Sequence, residues 1–178
     1  MYKHVVHITS AHERSDTRIF VKMCSSLAKA GYKVTLVVAD GGGNEYRNGV
    51  DIIGLPKNNS RIQRMTKTVH SIYKIASSLS ADVYHVHDPE LMFVGVLLGR
   101  KNRPVIFDAH EDLPKQILGK HYLSSPLKFI FSRCAGLLER LLCAKYSAVV
   151  CATPYIRDKF LKYNENTIDI NNFPIIEE

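Results

Sequence analysis

What this sequence lacks narrows what it can be. No glycine occurs before Gly31, so the turn after the first strand cannot carry the GxGxxG pattern that lets a pyrophosphate approach the backbone. GxxxxGK[ST] is absent throughout, and dinucleotide binding and P-loop hydrolysis are both disfavoured. The four cysteines, Cys24, Cys134, Cys143 and Cys151, form no CxxC pair, which argues against a disulfide framework and for reduced, mostly buried side chains. No window of about 20 residues escapes charge, and the apolar run near the N-terminus is too short for a signal peptide. A cytoplasmic location is therefore expected.

Acidic residues are missing from two long windows. Between Ile52 and Ala81 the only charges are those of Lys57, Arg61, Arg64, Lys67 and Lys74, and between Leu113 and Leu138 those of Lys115, Lys120, Lys128 and Arg133. With a net charge of +7, two such zones attract phosphates, whether in lipid headgroups, a pyrophosphate-linked substrate or nucleic acid. A solvated face depleted of acid by chance would look the same. The composition is otherwise ordinary: 178 residues with 46% hydrophobic and 23% charged content suffice for one folded domain.

Along the chain, apolar runs alternate with helical patterns. Val5 to Thr9, Lys33 to Ala39, Val50 to Leu55, Val83 to Val86, Val105 to Asp108, Ala148 to Ala152 and Thr167 to Ile170 suit strands buried on both faces. Between them, the stripe Phe20, Met23, Leu27 and Ala30, capped by Ser15 to Thr17 and stopped at Gly31, predicts a helix. Further helices are expected over Arg61 to Leu79, Pro89 to Leu98, Pro126 to Ala144 and Pro154 to Leu161. Such an order specifies an α/β domain with a Rossmann-like open parallel sheet and helices on both faces.

Two helices carry a further message. Ile62, Met65, Val69, Ile72, Ala76 and Leu79 share one side of the helix from Arg61 and are expected to pack on the sheet, leaving a basic side able to rest on an anionic membrane. LKFIFSRCAGLLERLL is apolar around most of its circumference, the usual mark of a buried core helix, with a membrane-facing or partner-facing role as the alternative.

In open parallel sheets ligands bind outside the carboxyl ends of the strands. SAHERSDTR brings Ser10, His12, Glu13, Asp16 and Arg18 to that edge, HVHDPE brings His87, Asp88 and Glu90, and DAHEDLP brings Asp108, His110, Glu111 and Asp112. Histidines beside carboxylates in a cleft can bind polar ligands or exchange protons near neutral pH. Each loop taken alone could merely cap helices and fill turns. His85 and His87 share one face of a strand, but no third ligand has convincing spacing, so no metal site is expected. Gly41 to Gly43 precedes a strand and not a helix, and reads as a turn.

Together, SAHERSDTRIFVKMCSSLAKAGYKVTLV, VYHVHDPELMFVGVLL and VIFDAHEDLPKQIL resemble the N-terminal domain of family-4 glycosyltransferases of the GT-B fold. ATPYIRDKF and the closing NNFP extend the likeness over nearly the whole chain. The resemblance implies a retaining transferase working in a cleft between two Rossmann-like domains, with His110 facing the transferred sugar. Ser10, His12, Asp16, Arg18, Asp88, Glu90, Glu111 and Asp112 become substrate-binding candidates, without separate roles.

The resemblance also implies partners: a nucleotide-sugar donor as co-substrate with no further cofactor, a lipid-linked saccharide acceptor in surface polysaccharide or O-antigen synthesis, and peripheral membrane contact through the basic zones, but no nucleic acid. The family's donor-binding C-terminal domain is not in residues 1–178, so this half is expected to be inactive alone, since transfer requires donor and acceptor held in one geometry. Half of a sugar-nucleotide 2-epimerase and a stand-alone sugar- or phosphate-binding module are the alternatives.

Overall fold

The computed structural model describes residues 3–100 and 102–174. Met1, Tyr2 and the closing residues 175–178 lie outside these. Among the described residues, eight strands form one sheet in the order β3-β4-β2-β1-β5-β6-β7-β8. They are β1 (His4–Thr9), β2 (Lys33–Val38), β3 (Glu45–Arg47), β4 (Val50–Gly54), β5 (Val83–Val86), β6 (Val105–Ala109), β7 (Ala148–Cys151) and β8 (Thr167–Asp169). All pairings are parallel except β3 with β4. The chain builds outward from β1 to β2 and β4, then returns to β1's other side with β5, so the strand order reverses between β1 and β5.

The expected strands are all present, and β3 is an addition. It pairs with β4 through Asn48 and Gly49, whose φ values of 52° and 78° are those of the tight turn that Asn-Gly favours between antiparallel strands.

Alternation along the strands divides the sheet into two unlike faces. Val6, Ile8, Tyr84, Val86, Phe107 and Ala109 join the main apolar core under α3 (Val69–Ser78), α4 (Met92–Gly99), α6 (Ser125–Cys143) and α7 (Pro154–Phe160). The intervening His7, His85, His87 and Asp108 are buried on the opposite face. That face also holds a second core, in which Ile19, Phe20 and Cys24 cover Val34, Leu36, Val50 and Ile52.

Asp16 caps the first helix by accepting from the backbone N–H groups of Arg18 (2.9 Å) and Ile19 (2.8 Å), inside the predicted capping stretch. Thr17–Cys24 is a π-helix that runs into α1 (Ser25–Lys29) and ends before Gly31, at φ 90°. The wider π turn shifts the helical phase, so Ile19 and Cys24 are buried while Ala30 of the expected stripe is exposed.

The larger correction concerns α6. Its buried side chains are Ser132, Ala135, Glu139 and Cys143, while Phe129, Ile130, Phe131, Leu137, Leu138 and Leu141 are exposed. Apart from Glu139, which pairs with Lys159, the inward residues are small and allow close approach, and the large apolar ones are left outside, the reverse of a core helix. Likewise Ile62 and Met65, expected against the sheet, are exposed: the segment from α2 (Arg61–Gln63) through the π-helical Arg64–Thr68 buries only Thr68, and packing on the sheet begins in α3 with Ile72 and Ala76. Of the cysteines, Cys134 is exposed and the other three are buried. A short α5 (Leu113–Leu118), capped by Asp112, adds to the predicted helices.

Gly95 in α4 is needed for packing. A Cβ there would stand 2.1 Å from the hydroxyl of buried Tyr146, which donates to the Met92 carbonyl at 2.7 Å. Gly95→Ala is expected to destabilise the domain by about 1–3 kcal/mol through overpacking, measured by urea unfolding. An unchanged midpoint would show that Tyr146 yields freely.

Candidate functional site

The reversal between β1 and β5 places their loops side by side, and Asp88 stitches them together. One carboxylate oxygen, Oδ2, accepts from the Thr9 hydroxyl (2.7 Å) and from the backbone N–H groups of Ser10 (2.6 Å) and Ala11 (3.2 Å). The other, Oδ1, lies 3.4 Å from His12 Nε2. Ser10 is itself buried, donating its hydroxyl to Glu90 at 3.1 Å, and Glu90 in turn pairs with Arg64 at 2.8 Å.

His12 is held from both sides, with Nδ1 at 3.1 Å from Asp16 and Nε2 toward Asp88. The bond to Asp16, aided by the charge of Asp88, raises its pKa above the ordinary histidine value although partial burial opposes this. The same bond, with the two cap N–H groups, pulls Asp16 down to about 2. The His12 and His110 rings stand 5.1 Å apart, so two loops far apart in sequence present paired imidazoles on one lip.

Beneath them sits Asp108, fully buried at the end of β6. Arg18 grips it with Nε at 3.0 Å and Nη2 at 2.7 Å, and uses Nη1 to hold the Ile170 carbonyl after β8. Nε2 of His110 lies 2.8 Å and Nδ1 of His87 3.2 Å from Asp108 Oδ2. Burial works against its ionisation, but the bonds from His110, His87 and Arg18 outweigh this and hold it well below the usual carboxylate range. An ionised carboxylate only accepts, so the proton in this bond sits on His110 Nε2, and in the neutral tautomer that results the lone pair is on Nδ1.

The same logic runs inward. His87 donates from Nδ1 to Asp108, leaving Nε2 to accept from His7 Nδ1 at 2.9 Å. His7 Nε2 and His85 Nε2 are buried with no hydrogen-bond partner among the described residues. Burial is the main reason that His7, His85 and His87 all have lowered pKa values, His85 to about 3, so the cluster is neutral at neutral pH.

A cavity of about 870 Å³ opens over this lip. His12, Asp88, Glu90, His110 and Glu111 line it, with His87 and Asp108 deeper. Ser10, Asp16 and Arg18 position these groups from behind. Asp112 is directed elsewhere: it caps α5 through the Lys115 N–H and pairs with Lys159 at 2.8 Å. Glu111 is exposed and accepts a bond from Gln116.

Sequence reasoning places Asp108 at the edge but misses its central position. It also misses His7, because the spacing of His85 and His87 says nothing about which residue a neighbouring parallel strand brings alongside. In the structure His7 is the direct partner of His85.

Fold and lip together define a Rossmann-like α/β domain of the kind that forms one half of GT-B glycosyltransferases. The family model "Glycosyltransferase Family 4" matches residues 17–170, and the chain belongs to that family. Sucrose-phosphate synthase from Thermosynechococcus elongatus superposes with TM-score 0.66 at 14% identity, over 95% of this chain and 48% of its own. A trehalose-phosphate synthase from Burkholderia vietnamiensis gives 0.57 at 15% identity, over 93% and 43%. An Anabaena protein solved with UDP and glucose gives 0.57 at 11% identity, over 96% and 44%. The chain thus spans about half the length of these solved proteins or less. No curated protein sequence matches it significantly.

The pairing of His12 with Asp16 has a measurable consequence. In Asp16→Asn, which keeps a capping side chain, the His12 midpoint in an NMR titration is expected to fall toward the ordinary value of 6.5. The sign also sets a stability window. The raised His12 contributes below pH 6.5 and loses this as pH rises through its folded pKa, while Asp16 contributes above 3.8 and loses this as pH falls toward about 2. An unmoved His12 midpoint in Asp16→Asn would refute the pairing.

Proposed function

We propose that this domain is the acceptor-side half of a retaining glycosyltransferase that moves a sugar from a nucleotide-sugar donor to a lipid-linked saccharide, in surface polysaccharide or O-antigen assembly. The observation that carries the reading is the mixed character of the cavity. At one end are His12, Asp88 and His110, suited to sugar hydroxyls; along its walls lie Arg61, Arg64 and Lys120, suited to a diphosphate, and apolar Met65, Phe93, Phe131 and Leu138. An amphiphilic acceptor with a saccharide head, a charged linkage and a hydrocarbon tail matches these three chemistries in one groove.

In this reading His110 offers its Nδ1 lone pair to a hydroxyl of the transferred sugar, held in register by Asp108. Transfer proceeds on the front face with retention, and the leaving diphosphate is held mainly by a further, donor-binding domain. The greater length of the solved relatives and the UDP and glucose in one of them favour this division. By itself the domain is expected not to turn over, because it cannot hold the donor in attack geometry. No separate cofactor is assigned.

The exposed apolar side chains of α6, interleaved with Lys128, Arg133 and Arg140, favour a peripheral seat on the cytoplasmic face of a membrane, where a lipid-linked acceptor would be presented. The described helices include none long and apolar enough to cross a membrane.

In the enzyme carrying this domain, His110→Ala is expected to lower kcat about 100-fold or more, with product formation dependent on acceptor. Near-normal turnover would overturn the role of His110. Conversion of the nucleotide sugar without any acceptor would point to epimerisation instead, and tight saccharide binding by these 178 residues alone to a stand-alone module.

A further inference from the structure

Beneath the sugar-facing lip lies a cluster that takes no part in the proposed transfer. His85 on β5 and His87 just past its end are two apart and project to one face of the sheet, and His7 on β1 projects to the same face beside them. Ring centroids are 4.8 Å apart for His7 and His85, 4.6 Å for His85 and His87, and 5.1 Å for His7 and His87. All three side chains are buried, and His7 and His85 each leave Nε2 without a partner among the described residues. Two unpartnered imidazole nitrogens in one buried spot are costly unless something is bound there.

We propose that His7, His85 and His87 form a binding site for a late first-row divalent cation of the zinc class. One nitrogen from each residue lies within 4.8 Å of the others. With metal–nitrogen bonds of about 2.0–2.1 Å, tetrahedral ligands stand about 3.4 Å apart. The 2.9 Å hydrogen bond from His7 Nδ1 to His87 Nε2 must therefore break on binding, the His7 ring turning to bring its free Nε2 lone pair to the ion and releasing the lone pair of His87 Nε2, and the longest separation must close by up to about 1.4 Å. Rotation of the side chains supplies such shifts without moving the strands.

Two further features fit a metal. Imidazole suits zinc, copper and nickel, whereas magnesium and calcium prefer oxygen. His87 has its Nδ1 on Asp108, the carboxylate contact that typically orients a metal-bound histidine and fixes which nitrogen faces the ion. An ion could enter through the cavity, whose lining includes His87 and Asp108. Once bound it would tie β1 to β5 directly under the two loops that carry His12 and Asp88, bracing the lip from below. The metal site does not depend on which sugar or acceptor is used.

The test uses the whole chain, purified without a polyhistidine tag and stripped with chelator. Zinc is expected to bind at about one equivalent per chain and to raise Tm by about 5 °C or more at a hundredfold excess over Kd, with magnesium inert. Cobalt(II) should give the visible bands of a four-coordinate nitrogen site. His7→Gln and His85→Gln should each weaken binding at least about tenfold, while circular dichroism reports whether they fold. His70→Gln/His121→Gln, which removes two exposed histidines, and His110→Ala should leave binding intact. The proposal is overturned if zinc does not bind, if folded His7→Gln and His85→Gln variants bind it unchanged, or if His110→Ala abolishes binding, which would move the ion to His87, Asp108 and His110. Should both glutamine variants fail to fold, the cobalt spectrum of the parent chain decides, and six-coordinate or absent bands would refute the site.

Discussion

One carboxylate organises this domain. Asp108 stands at the end of β6 on the polar face of the sheet, and every group that reaches it comes from a different part of the chain: Arg18 from the first helix, His87 from the end of β5, His110 from the loop after its own strand. Arg18 extends the connection to the segment after β8. Taking a carboxylate and a guanidinium out of water is expensive, and the arrangement is tolerable because each oxygen of Asp108 is bonded and the Arg18 fork is matched to it. The consequence is directional. Since Asp108 only accepts, the proton it receives from His110 sits on Nε2, and those of His87 and His7 follow in sequence on Nδ1.

Much of this is legible in the sequence. Continuous apolar runs such as VTLVV identify buried parallel strands, their alternation with helical stripes gives the sheet, and the strand-end rule then gathers His12, Asp88 and His110 on one edge. What escapes are relations that no local pattern contains. Cross-strand register puts His7 beside His85, and the burial of Asp108 rests on a guanidinium 90 residues away. Composition also misleads at α6, because a helix that is apolar all round can be core or exposed, and only the neighbouring elements decide which face is covered. Asp112 groups with the site in sequence because it shares a loop with His110, yet a residue at a helix start is equally suited to capping, and in the fold it caps.

The division of the sheet into an apolar and a polar face links stability to function. Apolar packing under α3, α4, α6 and α7, with the smaller core that Ile19, Phe20 and Cys24 form on the other face, stabilises the domain, and the remainder of that other face buries ionisable groups near the switch point. Outward-facing Phe129, Ile130, Leu137 and Leu141 are hard to reconcile with a helix meant only for water, and the acid-free stretches flank the same region. The groove combines a polar lip, cationic walls and an apolar approach, the three chemistries on which the proposed acceptor rests, and membership of glycosyltransferase family 4 supplies the chemical setting.

The central claim is that Arg18 and Asp108 act as one unit supporting the lip. Its most direct test is a double-mutant cycle in denaturant with Arg18→Met and Asp108→Leu. Each single change leaves a buried charge unpaired and is expected to cost about 3–5 kcal/mol, while the double change should cost clearly less than their sum. Strictly additive losses would mean that the two residues stabilise the fold independently, and Asp108 would lose its place as the organising group of the lip.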